Sequence, residues 1–402
     1  MRKFVSAFAL LCGMAAVPAS AQFSGDTVKI GVATDMSSLY ADINGPGAAL
    51  ATQMAIEDFG GTVAGKKIEL ITGDIQNKAD VAATMASRWY DAENVDVILG
   101  SGASSSSIAI QGVAGEKKRI FLAPDPASSD ITGKLCNPYT VQWVYDTAAL
   151  ANGTGSAVVK SGGNTWFFLT ADYAFGYALQ RDVAAVVTKS GGKVLGEVRH
   201  PINTQDFSSF LLQAQASKAQ IIGLANAGGD TIKSIQQAAE FGIVKGGQKL
   251  AGLLVFISDI HSLTLERAQG LRLTEAFYWD LNDKTRAFSK RFAERFKGKM
   301  PTMVQAGFYS ATLAYLNAVK ATGTDNAEKG MAQMKATKWD DPIFGKSYIR
   351  EDGRKMHDMY LFEVKTPAES KGPWDYYKLL ATIPAVEAFR PMDQGGCPMV
   401  KK

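Results

Sequence analysis

Cysteine and histidine are scarce, with three of each in 402 residues. His200, His261 and His357 stand far apart and no CxxC occurs, so no metal-ligand spacing is present. An excess of one charge is missing too: 43 Lys plus Arg face 39 Asp plus Glu. That balance excludes the electrostatic footprint of nucleic-acid or anionic-membrane binding. No apolar run reaches the ~18–20 residues of a membrane-spanning helix. The longest, residues 4–17, follows Arg2 and Lys3 and precedes Ala19-Ser20-Ala21, the layout of a cleaved secretory signal. A signal peptide of residues 1–21 is expected, and with it a periplasmic location. Leu11 ahead of Cys12 does not fit a lipoprotein signal.

Catalytic motifs are also lacking. NGPGAALA offers Gly45 and Gly47 but Leu50 in the third place of a dinucleotide fingerprint, and Asp340 replaces the first glycine of a phosphate loop ending in GKS. Gly102-Ala103-Ser104-Ser105-Ser106 lacks the closing glycine of a nucleophile elbow. Asp35, Asp125 and Asp172 are carboxylates that nothing in the sequence brings together. The expectation is therefore a protein without catalytic residue, metal or cofactor. An envelope α/β hydrolase is the rival from another class, and a sensory ligand-binding domain a third. After cleavage Cys136 and Cys397 remain; an oxidising compartment permits a bridge that would tie down the C-terminal tail, and two free thiols are the alternative.

What the sequence does contain is a repeated alternation. TVKIGVA (27–33), KIELIT (67–72), VDVILG (95–100) and RIFLA (119–123) are short β-branched runs separated by helical stretches, the pattern of βαβ units around a parallel sheet. It starts afresh with TWFFLTAD (165–172), KVLGEVRH (193–200), AQIIGLAN (219–226) and KLAGLLVFIS (249–258). About 380 mature residues exceed what a single core usually holds, so two α/β lobes in series are expected. After LRLTEAFYW (271–279) two helical segments, 284–296 and 302–321, and short strands follow. They complete the first two lobes, with crossings expected near Tyr145, Glu275 and Ile349. The reading is α/β, with lobe 1 formed by 26–145 plus 276–348 and lobe 2 by 146–275 plus 349–396.

In open α/β sheets ligands sit beyond the carboxyl ends of the strands. Two segments at such positions are rich in small hydroxyl residues, SGASSSS after VDVILG and PDPASSDITG after RIFLA. Serine is a favoured helix N-cap, and converging helix N-termini form a seat for a carboxylate. Capping alone is the plainer account of these serines.

From VKIGVATDMSS through GAALATQMAIEDFGG, the strand-SSS segment, the loop ending in DITG, DYAFG and YSATLAYLNAVKA, the order and spacing resemble a known family. It is the type I periplasmic substrate-binding proteins of ABC importers, in the branched-chain amino acid (Leu/Ile/Val-binding) group. The resemblance implies two doubly wound α/β lobes joined by a three-strand hinge, a small-molecule ligand trapped between them, and delivery to a membrane permease by a monomer. It places a carboxylate-binding hydroxyl at Ser104, beside Ser105, and a loop of amides at 125–128. There Asp125 and Pro126 depart from the family pattern and Ala127 and Ser128 are the better donors. On the second lobe it places Phe175, with Tyr173 nearby, and an acid for the ligand's ammonium at Asp259. A second family tyrosine falls near Asn226, where this chain has no aromatic. Tyr40 is expected at the cleft mouth. These departures imply a pocket altered from the branched-chain type, with amino acids, small carboxylates, aromatic acids and urea-like amides all open.

Overall fold

The computed structural model describes residues 23–100 and 102–401; the expected signal peptide, 1–21, lies outside the described residues. The first sheet comprises β1 (Thr27–Thr34), β2 (Thr62–Val63), β3 (Lys66–Asp74), β4 (Val97–Gly100), β5 (Ile120–Ala123) and β6 (Thr140–Gln142) in the order β2-β3-β1-β4-β5-β6. All its pairings are parallel except that of β2 with β3. Every residue of the tetrapeptides VILG and IFLA is buried, as strands covered on both faces require. The chain leaves β1 for β3 on one side and later returns to β4 on the other. That reversal opens a crevice at the carboxyl ends of β1 and β4.

The second sheet holds β7 (Thr165–Ala171), β8 (Lys193–His200), β9 (Ile221–Ala225) and β10 (Lys249–Gly252) in the order β10-β9-β7-β8, all parallel. The run 249–258, expected as one strand, stops at Gly252 and turns into the helix Ile257–Leu263. Beside this sheet, β11 (Arg272–Glu275) joins an antiparallel ladder with two later strands. The chain then returns to the first lobe through the helices Asp283–Arg295 and Met303–Thr322. The second of these packs along the helix Gly45–Phe59, and its cap residue Thr302 donates its hydroxyl to the Ile43 carbonyl at 2.6 Å.

Three short strands, β12 (Trp339–Asp341), β13 (Gly345–Ile349) and β14 (Lys355–Met356), form a small antiparallel sheet. Arg354 bridges to Gln142 of β6. Residues 349–356 therefore stay with the first sheet, past the boundary expected at 348, and the return crossing comes at 357–358. Beyond it β15 (Met359–Val364) and β16 (Tyr377–Ile383) complete the ladder with β11.

The tail does not end in the second lobe. Asn152 donates to the Ala388 carbonyl at 2.9 Å, Arg390 donates to the Ser129 carbonyl at 3.0 Å, and Cys397 is joined to Cys136 by a disulfide with Cα atoms 5.6 Å apart. The bridged residues are 261 apart in sequence, so the cross-link removes a long loop's worth of freedom from the unfolded chain. Replacing both cysteines with serine is expected to cost about 2–4 kcal/mol. Urea denaturation of the mature protein measures it, and an unchanged midpoint would show the tail contributes no such restraint.

Candidate ligand-binding site

The loop after β1 is organised by Asp35, which is fully buried. Its carboxylate accepts the Ser38 amide at 2.9 Å, the Ser38 hydroxyl at 2.8 Å and the Tyr40 amide at 2.8 Å, and also the side-chain amide of Asn77. Asn77 in turn accepts the Ala103 amide at 2.9 Å. One buried carboxylate thus holds Tyr40 and, through Asn77, the start of the serine segment in fixed relation.

The helix Ser104–Lys117 begins one residue earlier than a Ser104 cap would have it, because Ala103 occupies the N-cap. The serines fall in the first turn instead. Ser104 Oγ accepts the Ser128 amide at 3.1 Å, which leaves the hydroxyl proton of Ser104 to donate elsewhere. Gly102, Ala103 and Ser104 all line a cavity, so the positive end of this helix faces it.

Asp125 lines the same cavity, 5 % exposed. Asn44 donates its side-chain amide to Asp125 Oδ2. Burial raises the Asp125 carboxyl well above the usual range and the charge on Asp35 adds to it, against the Asn44 hydrogen bond. The flanking loop is pinned from behind by Gln142, whose amide donates to the carbonyls of Pro126 at 2.8 Å and Ser128 at 3.1 Å.

The opposite wall comes from the second lobe. Tyr173 and Phe175 open the helix Ala174–Lys189, Ala227 follows β9, and Leu254 and Phe256 follow β10. Tyr145, from the first crossing, meets Phe256 edge-on with ring centroids 6.2 Å apart. The phenols of Tyr40 and Tyr173 are hydrogen-bonded to each other, closing the lobes over the cavity. The space left between the closed lobes is only roughly 20 Å³, far below the size of small-molecule pockets, so a solute is admitted only when the lobes part further than this. A larger hollow, roughly 390 Å³, opens near Gly162, Lys249 and Arg272. It lies within the second lobe, and its Arg272 is engaged by Ser161 and by Glu363 at 3.5 Å.

Of the residues expected from sequence, Tyr40, Ser104, Asp125, Ala127, Tyr173 and Phe175 line the interlobe cavity. Four stand elsewhere. Ser105 is not part of the wall, and Ser128 has its amide committed to Ser104. Asn226 is fully buried inside the second lobe, with its side chain 3.2 Å from His200 Nε2, donating to Ser234 at 3.0 Å and accepting from Thr231 at 2.7 Å. Asp259 accepts the Phe256 amide at 2.9 Å as part of a helix cap, and burial pushes its carboxyl up to about 7. Its effect on the cavity is to orient Phe256.

Sequence reading missed Ile43, Tyr145, Ala227, Leu254 and Phe256. Tyr145 had a usable signal, since it ends the aromatic run WVY at an expected crossing.

Among the described residues no helix is long and apolar enough to cross a membrane. Residues 27–373 match the family model described as periplasmic binding protein. A periplasmic binding protein from Burkholderia mallei is 54% identical, with a TM-score of 0.92 over 94% of this chain and 100% of that one. A branched chain amino acid ABC transporter periplasmic ligand-binding protein from Burkholderia xenovorans is 40% identical, with a TM-score of 0.82 over 93% and 100% of the two chains. The Leu/Ile/Val-binding protein homolog 6 of Brucella melitensis is 24% identical over 357 residues, 86% of this chain and 89% of the relative. With two α/β lobes closed over a shared cavity and a match across most of its length, the chain belongs to the periplasmic binding protein family.

Proposed function

We propose that this protein is the solute receptor of an ABC importer, closing its lobes over a small carboxylate-bearing organic molecule and handing it to the membrane permease. The supporting observation is the composition of the cavity wall. One side is the N-terminal end of a helix with the Ser104 hydroxyl; the other is contributed by the second lobe, so ligand bound there touches both halves. Contacts to both lobes are what make closure favourable, as a population shift requires. Ser104, Asp125, Ala127, Tyr40, Tyr173 and Phe175 are assigned as ligand contacts from the sequence reading, and Tyr145, Leu254 and Phe256 are added from the cavity wall. A single chain carries the whole cleft, consistent with a monomer that leaves the cytoplasm by its signal peptide.

Isothermal titration against amino acids and short or aromatic carboxylates tests the reading. Stoichiometric binding without turnover is expected, with a raised melting temperature. Ser104→Ala should then weaken the bound carboxylate by about 1–2 kcal/mol, roughly tenfold. Unchanged affinity in that variant would remove Ser104 from the carboxylate seat.

A further inference from the structure

The cavity wall carries a single acid and no cation. Asp125 is its only charged side chain, and Tyr40, Tyr145, Tyr173, Phe175 and Phe256 surround the space with aromatic rings. Ring faces are electronegative, and a carboxylate beside several of them is an environment for positive charge. On the opposite lobe the wall itself holds no acid: Ala227 and Leu254 are apolar, Asp259 is spent on the Phe256 amide, and Asp230, whose charge reaches the phenols of Tyr40 and Tyr173, lies behind the wall with Oδ2 accepting the Asn203 amide at 3.0 Å. Yet Ser104 at its helix N-terminus suits a carboxylate. Building on the receptor reading above, we propose that Asp125 receives the ligand's ammonium group, so that the solute is a compact amino acid zwitterion whose two charged groups both dock on the first lobe. The family resemblance had placed the ammonium partner at Asp259, on the other lobe.

The groups facing Asp125 decide how pH enters. Asn44 donates to it from the start of the helix Gly45–Phe59, Asp35 acts on it from the end of β1, and Ser104 lies at the end of β4. The phenols of Tyr40, Tyr145 and Tyr173 feel its charge from the cleft mouth and the first crossing. None of these is a cation, so burial shifts Asp125 toward its protonated form in the empty cavity, against the Asn44 hydrogen bond. An arriving ammonium displaces that proton. Affinity therefore rises with pH, by up to about tenfold per unit below the Asp125 pKa, then levels off. A ligand carrying a carboxylate alone would need Asp125 neutral and would bind more weakly as pH rises.

The test uses the mature, disulfide-bonded protein and paired probes: L-valine, L-leucine and L-phenylalanine against their des-amino counterparts isovalerate, isocaproate and hydrocinnamate, with benzoate as an aromatic acid. The amino acid of at least one pair should bind roughly thirtyfold or more tightly than its partner, as expected for a charge-assisted contact in a closed site. Asp125→Asn, which keeps the shape of the side chain, should lose about as much for that amino acid and flatten its pH profile. The des-amino comparison in the unsubstituted protein stands even where the variant folds poorly. Equal or tighter binding of a des-amino acid or benzoate, or amino acid affinity within threefold in Asp125→Asn, would overturn the assignment and leave the receptor reading intact. Failure of every carboxylate in the panel to bind would overturn both.

Discussion

Lys355→Met is expected to lower the unfolding free energy by about 3–5 kcal/mol, the cost of leaving a buried charge without its partner. Lys355 is fully buried and its ammonium lies 2.7 Å from Asp341, itself 1 % exposed, and 3.3 Å from the Ser310 hydroxyl. It also sits over two rings, 4.1 Å from the centroid of Phe344 and 4.8 Å from that of Trp143. Burial drags the Lys355 ammonium down to about 8 despite Asp341, so it still carries its proton at neutral pH. For Asp341, burial alone would raise the carboxyl, but Lys355, Ser310 and the Ile343 amide hold it below its ordinary value. Methionine fills the space and leaves that carboxylate with hydroxyl and amide donors only. The pair as a unit contributes far less than either half lost alone, because desolvating both ions offsets most of their attraction. Lys355→Met combined with Asp341→Leu should therefore recover much of the loss, a coupling that a double-mutant cycle by urea denaturation measures directly. A single variant within 1 kcal/mol of the parent would mean that water reaches Asp341 and that the pair is not sealed.

The neighbouring residue links this buried charge to the cleft. Arg354 is fully buried, donates to the Tyr145 carbonyl at 2.8 Å and lies 3.9 Å from Asp146, with its guanidinium 4.6 Å over the Phe389 ring. Burial lowers it to about 10, with Asp146 pulling the other way, so it remains charged. The backbone of Tyr145, a cavity-lining residue in the first crossing, is thus held from β14's leading edge, just before the third crossing, with the Phe389 ring of the tail packed against the same guanidinium. The fixed geometry at the hinge and the disulfide on the tail belong to one packed unit.

How much of this was legible in the sequence follows from where each side chain acts. VILG and IFLA were readable as central strands because burial on both faces leaves an uninterrupted apolar run, and topology alone marked the segments after them, SGASSSS and PDPASSDITG; singling out Ser104 and Asp125 within those segments took the family resemblance. Leu254 and Phe256 were hidden for the same reason that made the strands visible. KLAGLLVFIS is apolar throughout, and periodicity does not distinguish residues continuing a buried strand from residues turning to face a cavity. Asp259 shows a second limit: an acid in a first helical turn is equally suited to capping and to binding, and only the position of the Phe256 amide decides. Lys355 and Arg354 show a third. Long cationic side chains normally read as solvated, and their burial depends on Asp341 and Asp146, which lie at distant places in the chain.

Gly228→Val is expected to reduce affinity for the captured solute about a hundredfold, close to 2.7 kcal/mol, while leaving the separated lobes folded. Gly228 follows β9 in the second lobe at φ 56° and ψ −134°, a backbone conformation that a β-branched residue adopts only with strain of about 1–3 kcal/mol. That part of the cost is paid whether the cleft is open or shut. The remainder is not. A Cβ at this position would lie 3.0 Å from Tyr40 Cδ1, 3.2 Å from Ile43 Cδ1 and 3.2 Å from the Leu39 carbonyl oxygen, and all three atoms belong to the first lobe. Valine's methyl groups reach further still, against a backbone oxygen that does not rotate away. The clash exists only when the lobes meet, so the substitution raises the energy of the closed form relative to the open one. Apparent affinity falls in proportion to the fraction of closed-competent protein. Small-angle scattering at saturating ligand should find the parent contracted and the variant still extended at the same ligand concentration. Affinity within threefold of the parent, with full contraction, would show that closure does not depend on the contact between Gly228 and the Tyr40 loop. A drop in melting temperature without a change in scattering would assign the residue to the stability of the second lobe instead.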